Sequence, residues 1–66
     1  MDEASRIMQN ASVMPGYHGT ASAKVVDEMN DRFDTQNIIC NGSLRRMVFK
    51  KITDKHYAFH TEACNA

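Results

Sequence analysis

"TQNIICNGSLRRMVF", residues 35–49, decides how this chain folds, because its flanks carry a helical period while its centre carries a hairpin signal. As a helix, Cys40, Leu44, Met47 and Val48 fall at i, i+4, i+7 and i+8 on one face, with Gly42, Arg45 and Arg46 opposite. As a strand, Leu44, Val48 and Ile52 share a side with Arg46 and Lys50, while Met47 and Phe49 share theirs with Arg45 and Lys51. Both strand faces are mixed. Against the helix stands Asn41-Gly42, the strongest short hairpin signal when apolar runs flank it, and a glycine inside a helix costs ~1 kcal/mol relative to alanine. The clean stripe favours a helix over 36–48, with a hairpin tipped at Asn41-Gly42 as the alternative.

Outward from this stretch the patterns are simpler. Residues 3–12 place Ala4, Ile7, Met8 and Ala11 on one stripe behind an acidic first turn, which predicts a first helix. It ends at "MPGYHG", where Pro15 and two glycines make a turn and Tyr17 anchors the core. Thr20 or Ser22 can cap a second helix over 21–33. Ala23, Val26, Met29 and Phe33 form its apolar face, and Lys24, Asp27, Glu28 and Asp31 point outward. After residue 48 the chain reads as a β-hairpin: a strand over 49–52, a turn at Thr53-Asp54-Lys55, and a strand in which Tyr57 and Phe59 alternate with His56, Ala58 and His60. Residues 63–66 form a frayed tail.

The order helix, turn, helix, helix, hairpin resembles the winged helix-turn-helix family of DNA-binding domains over about residues 4–61. "TASAKVVDEMNDRF" is similar to that family's second helix, "TQNIICNGSLRRMV" to its recognition helix and "FKKITDKHYAFH" to its wing. Two departures are Gly42 within the reading helix and the lack of a glycine between that helix and the wing. The expected fold class is therefore α+β, a single small winged helix of three helices followed by a hairpin wing. The alternative is two helices plus a three-stranded antiparallel meander over 36–61.

The resemblance implies a transcriptional regulator that binds double-stranded DNA, of the kind a bacterium, phage or mobile element encodes as a stand-alone domain. Arg45 and Arg46 would meet guanine edges or phosphates, and Gln36, Asn37, Asn41 and Ser43 would contact adenine edges or the backbone. Lys50, Lys51 and Lys55 on the wing would neutralise phosphates, positioning the domain without reading sequence. Formal net charge is zero over 66 residues, which alone argues against a nucleic-acid binder. Its distribution argues otherwise: residues 1–34 carry a balance of −3 and residues 35–66 one of +3, with all five cations of the second half inside eleven residues. So small a module would need a homodimer for useful affinity.

The rival reading is a protein-binding inhibitor or modulator with a polarised acidic and basic surface and no nucleic-acid partner, its acid carried by Asp27, Glu28, Asp31 and Asp34. The secondary structure of residues 36–48 discriminates: a helix supports DNA reading and a hairpin supports the rival. Five methionines serve chiefly as core filler, any exposed one adding an adaptable contact.

Other chemistry finds little footing. His56, His60 and Cys64 are spaced by four, and Cys40 would complete a zinc set, but in a strand His56 and Cys64 lie ~26 Å apart, so no metal or other cofactor is expected. Without a glycine-rich phosphate loop or a nucleophile motif, no catalysis is expected. Two widely spaced cysteines do not make a secreted disulfide scaffold, which places the chain in a reducing cytoplasm. Apolar runs reach only three residues, against ~18 for a membrane span.

Overall fold

The computed structural model describes residues 2–64. The chain runs α1 (Glu3–Val13), β1 (His18–Ser22), α2 (Ala23–Arg32), β2 (Ile38–Cys40), β3 (Ser43–Thr53) and β4 (His56–Ala63). The four strands form one antiparallel sheet in the order β1-β4-β3-β2, and both helices lie on one of its faces.

α1 begins at Glu3, as expected, whereas α2 begins at Ala23, two residues later than expected, because residues 18–22 are strand β1 and Ser22, not Thr20, is the cap. Asp2 accepts a hydrogen bond from the Ser5 amide at 2.9 Å, and Ser22 accepts one from the Val25 amide at 3.2 Å, each satisfying a first-turn donor. α1 closes through the Met14 amide to the Asn10 carbonyl, and Pro15-Gly16 then turns the chain, with Gly16 at φ 73° and the Tyr17 amide bonded to the Met14 carbonyl. Arg32 at the end of α2 donates to Asp2 at 2.7 Å and to Ser5 at 3.1 Å, so the two helices are clasped where one ends and the other begins.

The reading helix and the three-helix winged fold are not there. Residues 38–53 are a β-hairpin whose tip is Asn41-Gly42, with φ of 52° and 82°, the two left-handed positions of a type I′ turn. Ile38 faces Arg45, Ile39 faces Leu44 and Cys40 faces Ser43 across it. The supposed helical stripe is divided by strand parity: Cys40 and Met47 are buried beneath the helices, while Leu44 and Val48 point the other way. The mixed helix-side face of β3 is costly at one end, where the Arg45 Nε is buried with no hydrogen-bond partner among the described residues. Arg45 and Lys51 stand on the helix side but near its two ends, half-buried and exposed respectively.

The alternative architecture is close to the observed one. β2, β3 and β4 make the antiparallel meander, and the second hairpin turns at Asp54-Lys55. What it lacks is β1, which pairs with the far side of β4 from His18↔His60 to Ser22↔His56. Ala63 belongs to β4 and Cys64 still bonds the Leu44 carbonyl, so the tail is ordered that far; Asn65 and Ala66 lie outside the described residues.

The core is the space between the layers. Ala4, Ile7 and Ala11 of α1 and Val26 and Met29 of α2 meet Ala21, Ile38, Met47 and Phe59 of the sheet. Tyr17 anchors its margin, as expected, with its ring 5.6 Å from that of Phe59 and its hydroxyl accepting from Asn10. Phe59 lies over Gly19, directly opposite in the ladder; a β-carbon there would sit 3.1 Å from the ring. No described helix is long and apolar enough to cross a membrane.

Candidate interaction face

With both helices on one side, the other side of the sheet is bare among the described residues. Its rows follow from the register. His18, His60 and Val48 form one row across β1, β4 and β3; Thr20, Ala58 and Lys50 form the next; Arg46 lies beside Glu62, and Leu44 beside Ile39 at the β2 edge. His56 stands on the same side at the hairpin end of β4. Along β3 this face therefore alternates aliphatic and cation: Leu44, Arg46, Val48, Lys50. Ile39 is 61% exposed and Leu44 41%, and Val48 between them is half-buried.

The charges on this face are held in place. Arg46 grips one oxygen of Glu62 with two nitrogens at 2.9 and 2.7 Å, and the His60 Nε2 lies 3.4 Å from the other oxygen. The Arg46 guanidinium, and after it His60, holds the Glu62 carboxyl below the usual carboxylate range, and Glu62 in turn raises Arg46. The pair is exposed, so it orients these groups more than it stabilises the fold. Lys50 is exposed in the neighbouring row.

The opposite surface of the molecule is the solvent side of α2, where Asp27, Glu28 and Asp31 cluster with Lys24. The segregation of charge along the chain carries over to the layers only in part, since Arg45 and Lys51 stand on the helix side and Glu62 on the bare face. Acid lies outside α2, and two of the four cations of β3, Arg46 and Lys50, lie outside the sheet.

The nine residues expected to contact DNA do not form one patch. Arg46 and Lys50 share the bare face, whereas Arg45 turns to the helix side, where its Nη2 donates to the Thr61 carbonyl at 3.3 Å. Lys51 pairs with Asp54 at 2.9 Å, and Lys55 sits in the hairpin turn with its carbonyl bonded to the Ala23 amide. Gln36 spends its side-chain amide on the Met47 carbonyl, and Asn37 donates to Asp34; both brace the link from α2 to β2. Asn41 forms the turn tip, and Ser43 closes it opposite Cys40. His18, Thr20, Ile39 and Glu62 were missed as surface partners of these cations. The alternation around His56 and His60 carried the signal for Glu62, but nothing in "HGTAS" announced a strand.

Two further features bear on chemistry. A shallow apolar groove of about 390 Å³ between α1 and β2 is lined by Met8, Phe33 and Ile38, and the carboxylate at its rim, Asp34, is occupied by the Gln36 amide and Asn37. Among the described residues no three histidine, cysteine or acidic side chains are grouped so as to hold a metal ion. Cys40 is buried and Cys64 half-buried, both as free thiols. Comparison with protein-family models, with curated proteins and with solved structures finds no match to this chain.

Proposed function

We propose that this chain is a protein-binding module, a small inhibitor or modulator, which engages an acidic partner surface through the bare face of its sheet and performs no chemistry of its own. The observation that carries this reading is the alternation on β3, where Leu44 and Val48 alternate with Arg46 and Lys50, with Ile39 beside Leu44. One-sided sheets are normally polar on their solvent face. Here exposed and half-buried aliphatic side chains are interleaved with cations, the composition of a surface that loses water on binding and is steered by charge. The acidic α2 lies on the far side, so an acidic partner meets the attractive layer first.

This arrangement favours protein over DNA. Phosphates would use Arg46 and Lys50 but gain nothing from Ile39, Leu44 and Val48, and Arg45, Lys51 and Lys55 lie elsewhere. The support that a reading helix lent to sequence recognition falls with that helix. A photo-reactive side chain placed at Val48, and as a control at Glu28, tests the reading in cells that express the chain. A discrete protein adduct from the Val48 position, lost when Lys50→Glu is added, is expected. Adducts to nucleic acid, or equal adducts from both positions, would refute it.

A further inference from the structure

The bare face carries every histidine of the chain. His18 and His60 stand directly opposite each other on β1 and β4, and His56 lies four residues before His60 on the same side of β4. Nothing in the core requires this, since all three side chains are exposed. Cross-strand neighbours on one face have β-carbons only ~5 Å apart, so His18 and His60 present their rings as a pair.

We infer that these histidines make the face a proton-gated docking surface, whose hold on an acidic partner strengthens as pH falls from about 7.5 to about 6. The inference rests on the protein-binding reading above and adds its regulation. With the imidazoles neutral, Arg46 and Lys50 against Glu62 leave the face one positive charge; with all three protonated it carries four. Histidine is the side chain whose ordinary titration spans this range. A partner's aspartates and glutamates stay ionised throughout it, so their own titration does not produce the effect.

The surroundings favour such coupling. On β4, Glu62 faces His60, with its second oxygen 3.4 Å from the ring, and Arg46 of β3 holds its first oxygen. Lys50 of β3 lies one row from the His18–His60 pair, in line with Thr20 and Ala58. The His18 Nδ1 is 3.3 Å from the Gly16 carbonyl, and the His56 Nδ1 is 3.4 Å from the Thr53 hydroxyl, with Lys51, Asp54 and Lys55 as the charges at that end. The two helices lie behind the sheet and add no charge to this side. Two imidazolium rings side by side repel, and a partner carboxylate set between them is attracted to both. Proton binding and partner binding therefore assist each other, each raising the affinity for the other by the same factor.

The test uses the full chain with poly-L-glutamate as the acidic probe and a mixed-sequence DNA duplex as the alternative polyanion. Backbone amide shifts are followed during titration at pH 7.5 and 6.0, for the natural chain and for the triple variant His18→Gln, His56→Gln and His60→Gln. Exposed imidazoles are the parts exchanged, and the unperturbed amide spectrum of the variant verifies its fold. The expected result is perturbation at Arg46, Val48, Lys50 and Lys51 by polyglutamate, about tenfold tighter at the lower pH as exposed charge pairs are added, with the increment lost in the triple variant. Perturbation of the same amides with equal affinity at both pH values, or an increment that survives in the variant, overturns the gate and leaves the docking face standing. Binding of the duplex in preference to polyglutamate, or no perturbation of the bare face, overturns both.

Discussion

Gly42 is the residue on which the architecture turns. Its φ of 82° lies where an L-residue pays a steric cost, while a β-carbon placed there would touch nothing within 4 Å. A Gly42→Ala exchange thus isolates backbone strain from packing, and it should lower unfolding free energy by about 1 kcal/mol in denaturant titrations. No loss would mean that the turn is not type I′. Thr61 offers the opposite case. It is 4% exposed, and its hydroxyl has no hydrogen-bond partner among the described residues even though its carbonyl receives Arg45. Replacing it by valine keeps the shape and removes a buried, unpaired polar group, so Thr61→Val should stabilise the fold by about 1 kcal/mol. A destabilised variant would reveal a partner for the hydroxyl.

Among the elements, the helix clasp sets an acid limit. Asp2 caps α1 and takes Arg32 from the end of α2, and its pKa is lowered from an ordinary 3.8 to about 2, first by the Ser5 amide and then by Arg32. A depressed carboxylate stabilises the fold above its unfolded value and loses that contribution as pH falls through its folded one, so the window is pH 4 to 2. In Asp2→Asn the cap can persist without the charge. Thermal melts should show a flatter fall in stability across that window than the natural chain does, and identical slopes would exclude the clasp. These two helices were legible because their apolar period, their caps and the Pro15-Gly16 stop all agree. Residues 35–49 were not. Met47 and Cys40 are buried like helix positions, but Leu44 and Val48 are apolar on a face with no layer over it, and this mimics a helical stripe. A surface built for contact disturbs the alternation from which a strand is recognised. β1 left no pattern at all: an edge strand with one buried side chain, Ala21, is specified by the free side of β4 and by the space Gly19 leaves for Phe59. Of the expected contact residues, Arg46 and Lys50 survive on one surface because strand positions i and i+4 share a side.

For the molecule as a whole, zero net charge and opposite layers have a consequence that needs no partner. Acid outside α2 and cations outside β3 give each copy two complementary surfaces on opposite sides. Such contacts are head-to-tail, building a ring where the rotation closes and an open filament where it does not. Nor does net repulsion oppose them, since the formal charge is zero at neutral pH. Attraction between copies should therefore be measurable at low ionic strength and fade as salt shortens electrostatic reach to ~10 Å near 0.1 M. Light scattering at pH 7 should give a negative second virial coefficient in dilute buffer that rises toward zero with added salt. Exchanging Arg46 and Lys50 for glutamate should remove the attraction twice over, by erasing one surface and by giving every copy a net negative charge. An apolar contact through Ile39 and Leu44 predicts the reverse, an attraction that persists or strengthens with salt. The sign of the salt response thus separates the two ingredients that the bare face combines, and it does so before any partner has been found.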